Sequence, residues 1–254
     1  MQEREFAERD CAQVRFEAGV GKPKALDLFS GTGSVANVLR ERGYEVVTLD
    51  LLPKYNADWQ MDVMEWQYWR IPARTFDVIT ASPPCTEFSQ AKTVGERKLT
   101  QAMYIVEKTL EIIQYFRPRF WWLETPRHGK LPRMAVMQAI PFWDADYCRF
   151  GRDFQKPTRF YGSSLLSLFE AQKCLGAAFP AITQGKHRGS LGGERNASVG
   201  KTYPIPKGLV HWLMIRVEEK LGLFPGGLGS VEDTTISAQA VVEEWAQPPT
   251  SWPG

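Results

Sequence analysis

Four short apolar runs, Ala25–Phe29, Glu45–Leu49, Phe76–Ala81 and Phe120–Leu123, are separated by stretches of helical character. Each run has the length of a buried strand. Ser34–Arg42 reads as a helix ended by Gly43, and Leu99–Phe116 as a long one stopped by Pro118, with Ile105, Ile112 and Phe116 near one face. Strands so widely spaced cannot pair as tight hairpins, whereas parallel neighbours need crossovers of this length. The pattern therefore implies an α/β fold: a mostly parallel, Rossmann-like sheet with helices on both faces. A chain of 254 residues, 43% hydrophobic and with nine Trp, can bury one sizeable core of this kind.

Beyond residue 140 the pattern changes. Asp146–Phe150 and Thr158–Tyr161 read as two strands joined by the polar turn Gly151-Arg152-Asp153. Residues 162–202 are rich in Gly, Ser and basic side chains and have little periodicity, as expected of a small irregular lobe. Pro206 opens a further helix, with Leu209, Val210, Leu213, Met214 and Val217 as its apolar stripe. The expected organisation is a lead-in over 1–24, a core over 25–161, the lobe over 162–202, a closing helix over 203–221 and an acidic Gly- and Pro-bearing tail over 222–254.

Charge is unevenly distributed. Residues 1–116 carry 14 basic and 17 acidic side chains, residues 117–220 carry 17 and 8, and residues 221–254 carry none and 4. A basic second half suits a polyanionic partner, nucleic acid first among them, and equally describes a scattered solvated surface. Cys11, Cys85, Cys148 and Cys174 are far apart with no C-x-x-C pair, which argues against a disulfide framework or a zinc site and suits a reducing cytoplasm. Neither a secretory signal nor an apolar run of membrane-spanning length is visible, so a soluble intracellular protein without a metal is expected.

Two loops carry the chemistry. The first strand runs into Phe29-Ser30-Gly31-Thr32-Gly33, where glycines permit close approach of a ligand and the next helix offers free N–H groups. Neither a third glycine of the dinucleotide fingerprint nor a G-x-x-x-x-G-K-[ST] run is present, so a nucleoside pocket fits better than a phosphate cradle. Asp50, ending the next strand, is placed for ribose hydroxyls, and Asp62 for an adenine amino group. The second loop is Ser82-Pro83-Pro84-Cys85-Thr86-Glu87-Phe88-Ser89. Two prolines stop the strand and leave Cys85 on a loop at the sheet edge where ligands bind, among polar neighbours. Glu124 ends the fourth strand, as a loop cap or as an acid able to hydrogen-bond a ring nitrogen. Gln155 and Arg159 either sit on a solvated turn or aim a cation at a ring carbonyl.

As a set, Asp27-Leu28-Phe29-Ser30-Gly31-Thr32-Gly33-Ser34, Ser82-Pro83-Pro84-Cys85 and Leu123-Glu124-Thr125-Pro126 resemble the motifs of the cytosine-C5 DNA methyltransferases, most closely the small phage- or prophage-type members. Gln155-Lys156-Pro157-Thr158-Arg159 is similar to the family's Gln-x-Arg-x-Arg segment, and Lys201-Thr202-Tyr203-Pro204-Ile205-Pro206 to its closing motif. The resemblance covers about residues 24–220. It departs from the family at Thr125-Pro126, where Asn-Val is usual, and at Pro157, which replaces the first Arg. The Arg-Leu-Gln-Gly motif is not recognisable and the target-recognition region is short.

The resemblance implies methyl transfer from S-adenosylmethionine to C5 of cytosine in double-stranded DNA, as in restriction–modification. Cys85 would attack C6 of a flipped base, Glu124 would engage N3 and the exocyclic amine, and Arg159, with Gln155, would hold O2. Phe29, Ser30, Gly31, Gly33, Asp50, Leu51, Asp62 and Pro83 would line the cofactor pocket, and Lys186, His187, Arg188 and Arg195 would contact DNA. An RNA cytosine-C5 methyltransferase and an inert nucleic-acid-binding relative remain alternatives at this level. An amino-methylating DNA enzyme would carry an aromatic residue where Cys85 stands.

Overall fold

The computed structural model describes residues 21–90, 92–152, 154–174, 182–183, 186–187 and 204–223. Seven strands form one sheet: β1 (Lys24–Leu28), β2 (Glu45–Asp50), β3 (Trp59–Gln60), β4 (Val78–Ala81), β5 (Phe120–Pro126), β6 (Phe142–Asp146) and β7 (Pro157–Gly162). Their order is β3-β2-β1-β4-β5-β7-β6, with β3, β2, β1, β4 and β5 parallel and β7 antiparallel to both neighbours. This is the mostly parallel α/β sheet that the strand–helix alternation predicts. Strand order reverses between β1 and β4, which pair directly, Leu28 with Ala81. In open sheets ligands bind in the crevice at such a reversal, beyond the carboxyl ends of the strands.

Alternation along the central strands sorts side chains onto two covered faces. Ala25, Val78, Phe120 and Trp122 pack under α1 (Ser34–Glu41) and the last helix, while Leu26, Leu28, Ile79 and Ala81 pack under α2 (Leu99–Phe116). The short α3 (Ala135–Gln138) adds Met137 to a third cluster with Phe88, Leu123 and Tyr161. The last helix, α4 (Lys207–Leu221), docks its Leu209, Val210, Leu213, Met214 and Val217 stripe on the first face, as the periodicity predicts. Trp212 stacks on Trp143 with ring centroids 5.1 Å apart and planes at 9°. Arg42, the C-cap of α1, forms a buried two-point ion pair with Glu218 of α4, its Nε 2.8 Å from Oε1.

One expected strand is elsewhere. Residues 147–150 form a 3₁₀ turn ended by Gly151 at φ 85°, and the strand lies just upstream at β6. Asp144 and Asp146 obscure it in the sequence, because charged residues at alternate positions read as solvent-facing. Both are buried, Asp144 against Arg159 and Asp146 against Arg127. Within the 162–202 stretch, Ile182–Thr183 and Lys186–His187 form a two-strand ribbon, β8 and β9. Among the described residues no helix is long and apolar enough to cross a membrane.

Candidate active site

The glycine turn is built from three left-handed residues, Phe29 (φ 58°), Gly31 (φ 52°) and Gly33 (φ 73°). Such angles are free for glycine and costly for phenylalanine, so the surrounding contacts must hold Phe29 there. They do so at three points. The Ser30 amide donates to the Leu49 carbonyl at 3.2 Å, and the Gly33 amide to the Ser30 carbonyl at 2.9 Å. The Gly31 amide donates to Asp50 Oδ2 at 2.9 Å, while Asp50 Oδ1 accepts from the Leu52 amide at 2.9 Å. Asp50 thus ties the end of β2 to the turn after β1. Asp62 accepts from the Met64 amide at 2.9 Å, bending the chain just past β3. Leu51, beside Asp50, is 56% exposed.

Next to this turn, the Ser82 amide continues the ladder onto the Leu28 carbonyl at 3.2 Å, which brings the second loop alongside the first. Pro83 is buried, Pro84 is exposed and Cys85 is half-buried. The Cys85 carbonyl accepts from the amides of Phe88 (3.0 Å) and Ser89 (2.9 Å), so the chain curls directly after the cysteine. Phe88, 1% exposed, anchors this curl, and its carbonyl takes the Lys130 amide at 2.8 Å. The chain passes close here: a Cβ on Gly129 would sit 3.0 Å from the Phe88 oxygen, a tight contact. Arg97 then gathers the rest of the loop, donating to the carbonyls of Glu87 (2.6 Å), Ser89 (3.0 Å) and Lys92 (2.5 Å).

Glu124 reaches the same edge from β5, which lies beside β4. Its Oε1 accepts from Tyr147 Oη and from Lys156 Nζ, both at 3.3 Å, and Lys156 Nζ is 3.4 Å from Tyr147 Oη. Burial, then the Glu124 charge, pushes the Cys85 thiol pKa up, while Lys156 and the backbone amide of Cys85 pull it down. Burial works against the Lys156 ammonium, but Glu124, Tyr147 and Cys85 outweigh it and hold its pKa above the ordinary lysine range. The Tyr147 phenol is raised by burial and by Glu124, so it remains a proton donor. A thiol, a carboxylate, a phenol and an ammonium therefore share one partly desolvated corner at the strand ends.

Two expected members lie apart from this corner. In the antiparallel register Glu124 faces Phe160, while Arg159 faces Thr125 and so points to the other side of the sheet. There Arg159 is held by Asp144 in a two-point ion pair at 2.8 and 3.0 Å, with its guanidinium 3.6 Å from the Phe142 ring centroid. Gln155 donates to Asp146 at 3.0 Å. The cation beside Glu124 is Lys156, and the donor beside it is Tyr147. Neither is visible in the sequence: Lys156 falls between the family positions, and Tyr147 lies in a stretch whose pattern reads as a strand. Lys186 and His187 lie on β9, while Arg188 and Arg195 are outside the described residues.

The order of these parts along the chain can be set against known proteins. A model of the C-5 cytosine-specific DNA methylase family matches residues 24–125, which contain the glycine turn, the Cys85 loop and Glu124. A probable DNA (cytosine-5)-methyltransferase of Frog virus 3 (isolate Goorha) is 33% identical over 153 residues, which span 54% of this chain and 69% of the viral protein.

Proposed function

The chain belongs to the C-5 cytosine-specific DNA methylase family and is a DNA cytosine-5 methyltransferase; we propose that it acts through a covalent Cys85–C6 adduct on a flipped cytosine, with S-adenosylmethionine held over the glycine turn. The observation that carries this reading is the meeting of the Cys85 loop and Glu124 at the carboxyl ends of the adjacent strands β4 and β5, beside the glycine turn of β1.

The residues around the turn fit that cofactor. The space over Gly31 is open: an added Cβ would meet nothing nearer than the Phe29 carbonyl, at 4.0 Å. Each Asp50 oxygen accepts one backbone N–H and keeps a lone pair for a ribose hydroxyl. Phe29, Ser30, Gly33 and Pro83 frame the crevice, exposed Leu51 offers an apolar face to the adenine, and Asp62 offers a carboxylate to its amino group. Bound there, S-adenosylmethionine supplies the electrophilic methyl that C5 takes up.

The protein's own work is to make C5 nucleophilic. A duplex hides C6 within the base stack, so the cytosine must swing out, at a cost of a few kcal/mol that pocket contacts offset. The Cys85 thiolate adds to C6, and the electron pair released from the C5–C6 bond makes C5 an enamine carbon. Glu124 holds N3 and the exocyclic amine, where charge develops. After methyl transfer, loss of the C5 proton to a base expels the thiolate and restores the ring. Gln155 is held by Asp146, and Arg159 by Asp144 on the face of β7 opposite Glu124, so an O2 role for them requires this strand to rearrange when DNA binds.

Nucleoside mass spectrometry of cytosine-containing duplex DNA, after incubation with S-adenosylmethionine, tests the reading. Wild type should yield 5-methylcytosine and Cys85→Ala none. Product from Cys85→Ala would remove Cys85 as nucleophile, and product in RNA alone would overturn the DNA substrate.

A further inference from the structure

Lys156 follows Gln155 directly and precedes Pro157, which stands where the family pattern has an arginine. Its side chain is 14% exposed and that of Glu124 is 9% exposed. Beyond its contacts to Glu124 and Tyr147, its Nζ lies 4.6 Å from the centroid of the Tyr147 ring. Desolvating an ammonium this far is costly unless a partner of opposite charge waits for it, so the corner is built around the charge. The groups facing it come from three elements: Glu124 on β5, Tyr147 on the 3₁₀ turn after β6 and Cys85 on the loop after β4.

A carboxylate beside a nucleophilic thiol is a handicap, because it opposes formation of the thiolate that must attack. Here the carboxylate is also required, to hold the base. A cation touching the carboxylate resolves the conflict. Resting on the reading of Cys85 as nucleophile, we propose that Lys156 is the positioning cation of this site: it grips Glu124 by Oε1, leaves Oε2 for the base, and offsets the carboxylate's charge at Cys85 so that the thiolate forms. The positive charge that the family places two residues after the glutamine is supplied in this chain one residue after it. Tyr147 bonds the same Oε1, with its hydroxyl 3.4 Å from Nζ, so Glu124 is held in place before any base arrives.

The test is the pH dependence of Cys85 alkylation by iodoacetamide in the full chain, followed at the Cys85 peptide by mass spectrometry from about pH 6 to pH 10. Lys156→Met should move the midpoint up by roughly one pH unit and slow alkylation near neutrality about tenfold. Lys156→Arg should restore the wild-type profile. Because Lys156→Met strands Glu124, the same substitution is also made in a Glu124→Gln background, where no buried carboxylate is left unpaired. The profile should again move to higher pH relative to Glu124→Gln alone. Superimposable profiles, in either background, overturn the proposal, since a packing role alone would lower thermal stability and leave the thiol titration in place. The reading beneath it fails separately, by methylation that survives Cys85→Ala.

Discussion

Asp27, next to last in β1, is 2% exposed and accepts from Thr80 Oγ1 on β4 at 2.6 Å. Burial pushes its pKa up to about 7, against hydrogen bonds from Thr80 and the Ala36 amide and the Arg40 charge, with the Asp50 charge adding to the rise. Between the ordinary carboxylate range and pH 7 the folded protein binds a proton that the unfolded chain has lost, so stability falls as pH rises through that window and levels off above it. The contribution is on the order of 4 kcal/mol at most. Asp27→Asn should therefore reduce the loss of urea stability between pH 5 and pH 8; an equal loss in both proteins would show that Asp27 does not titrate there. The Asp-Leu-Phe run was legible as the entry to a cofactor turn. That its aspartate is sealed was not, because burial of a charged residue depends on what α1 lays over it.

At the scale of the element, the junction of β5 and β7 leaves no room for a side chain at one position. Gly162 pairs with Trp122, and a Cβ on it would lie 2.1 Å from the Trp121 carbonyl oxygen and 2.8 Å from Leu166 Cδ1. The first contact is with backbone and cannot be relieved by a rotamer change. Gly162→Ala should lower stability by about 2 kcal/mol or more through strand displacement, read as a shift of the denaturant midpoint. Because β5 and β7 carry Glu124 and lead in from Lys156, methyl transfer should fall with it; a midpoint equal to wild type would mean that the junction yields freely. The long helix Leu99–Phe116 was legible to its last residue, since Pro118 and the apolar period agree there. The strand at β6 was not, because its two aspartates find arginine partners that come from other elements.

Across the whole molecule, charge separates along the chain, and the 17 basic against 8 acidic residues of the 117–220 stretch define the expected DNA-binding half. If Lys186 and Arg188 contact phosphates, neutralising both should flatten the slope of log affinity against log salt by about two. An unchanged slope would remove them from the interface. Part of the positive charge of this half is already committed within the fold: Arg127 to Asp146, Arg159 to Asp144, Lys156 to Glu124 and Lys207 to Glu41. The charge count alone therefore overstates what is left for DNA.

What the sequence alone determined is whatever local rules decide: strand–helix alternation and with it the parallel sheet, the glycine turn, the proline stop that leaves Cys85 on a loop, and the strand that carries Glu124, though this strand runs on past the expected end at Glu124 to Pro126 by pairing with β7. These depend on backbone angles and on the period of neighbouring side chains, both written in short windows of residues. Only the tertiary structure decided which charges meet. In a pleated strand, one residue of register moves a side chain to the opposite face, so β6 brought Asp144 to Arg159 while the pairing of β5 with β7 turned Arg159 away from Glu124 and left Glu124 for Lys156. Nothing local to the Gln155–Arg159 segment states that register. It is fixed by a neighbouring strand more than thirty residues upstream, through hydrogen bonds that form only when the sheet is assembled.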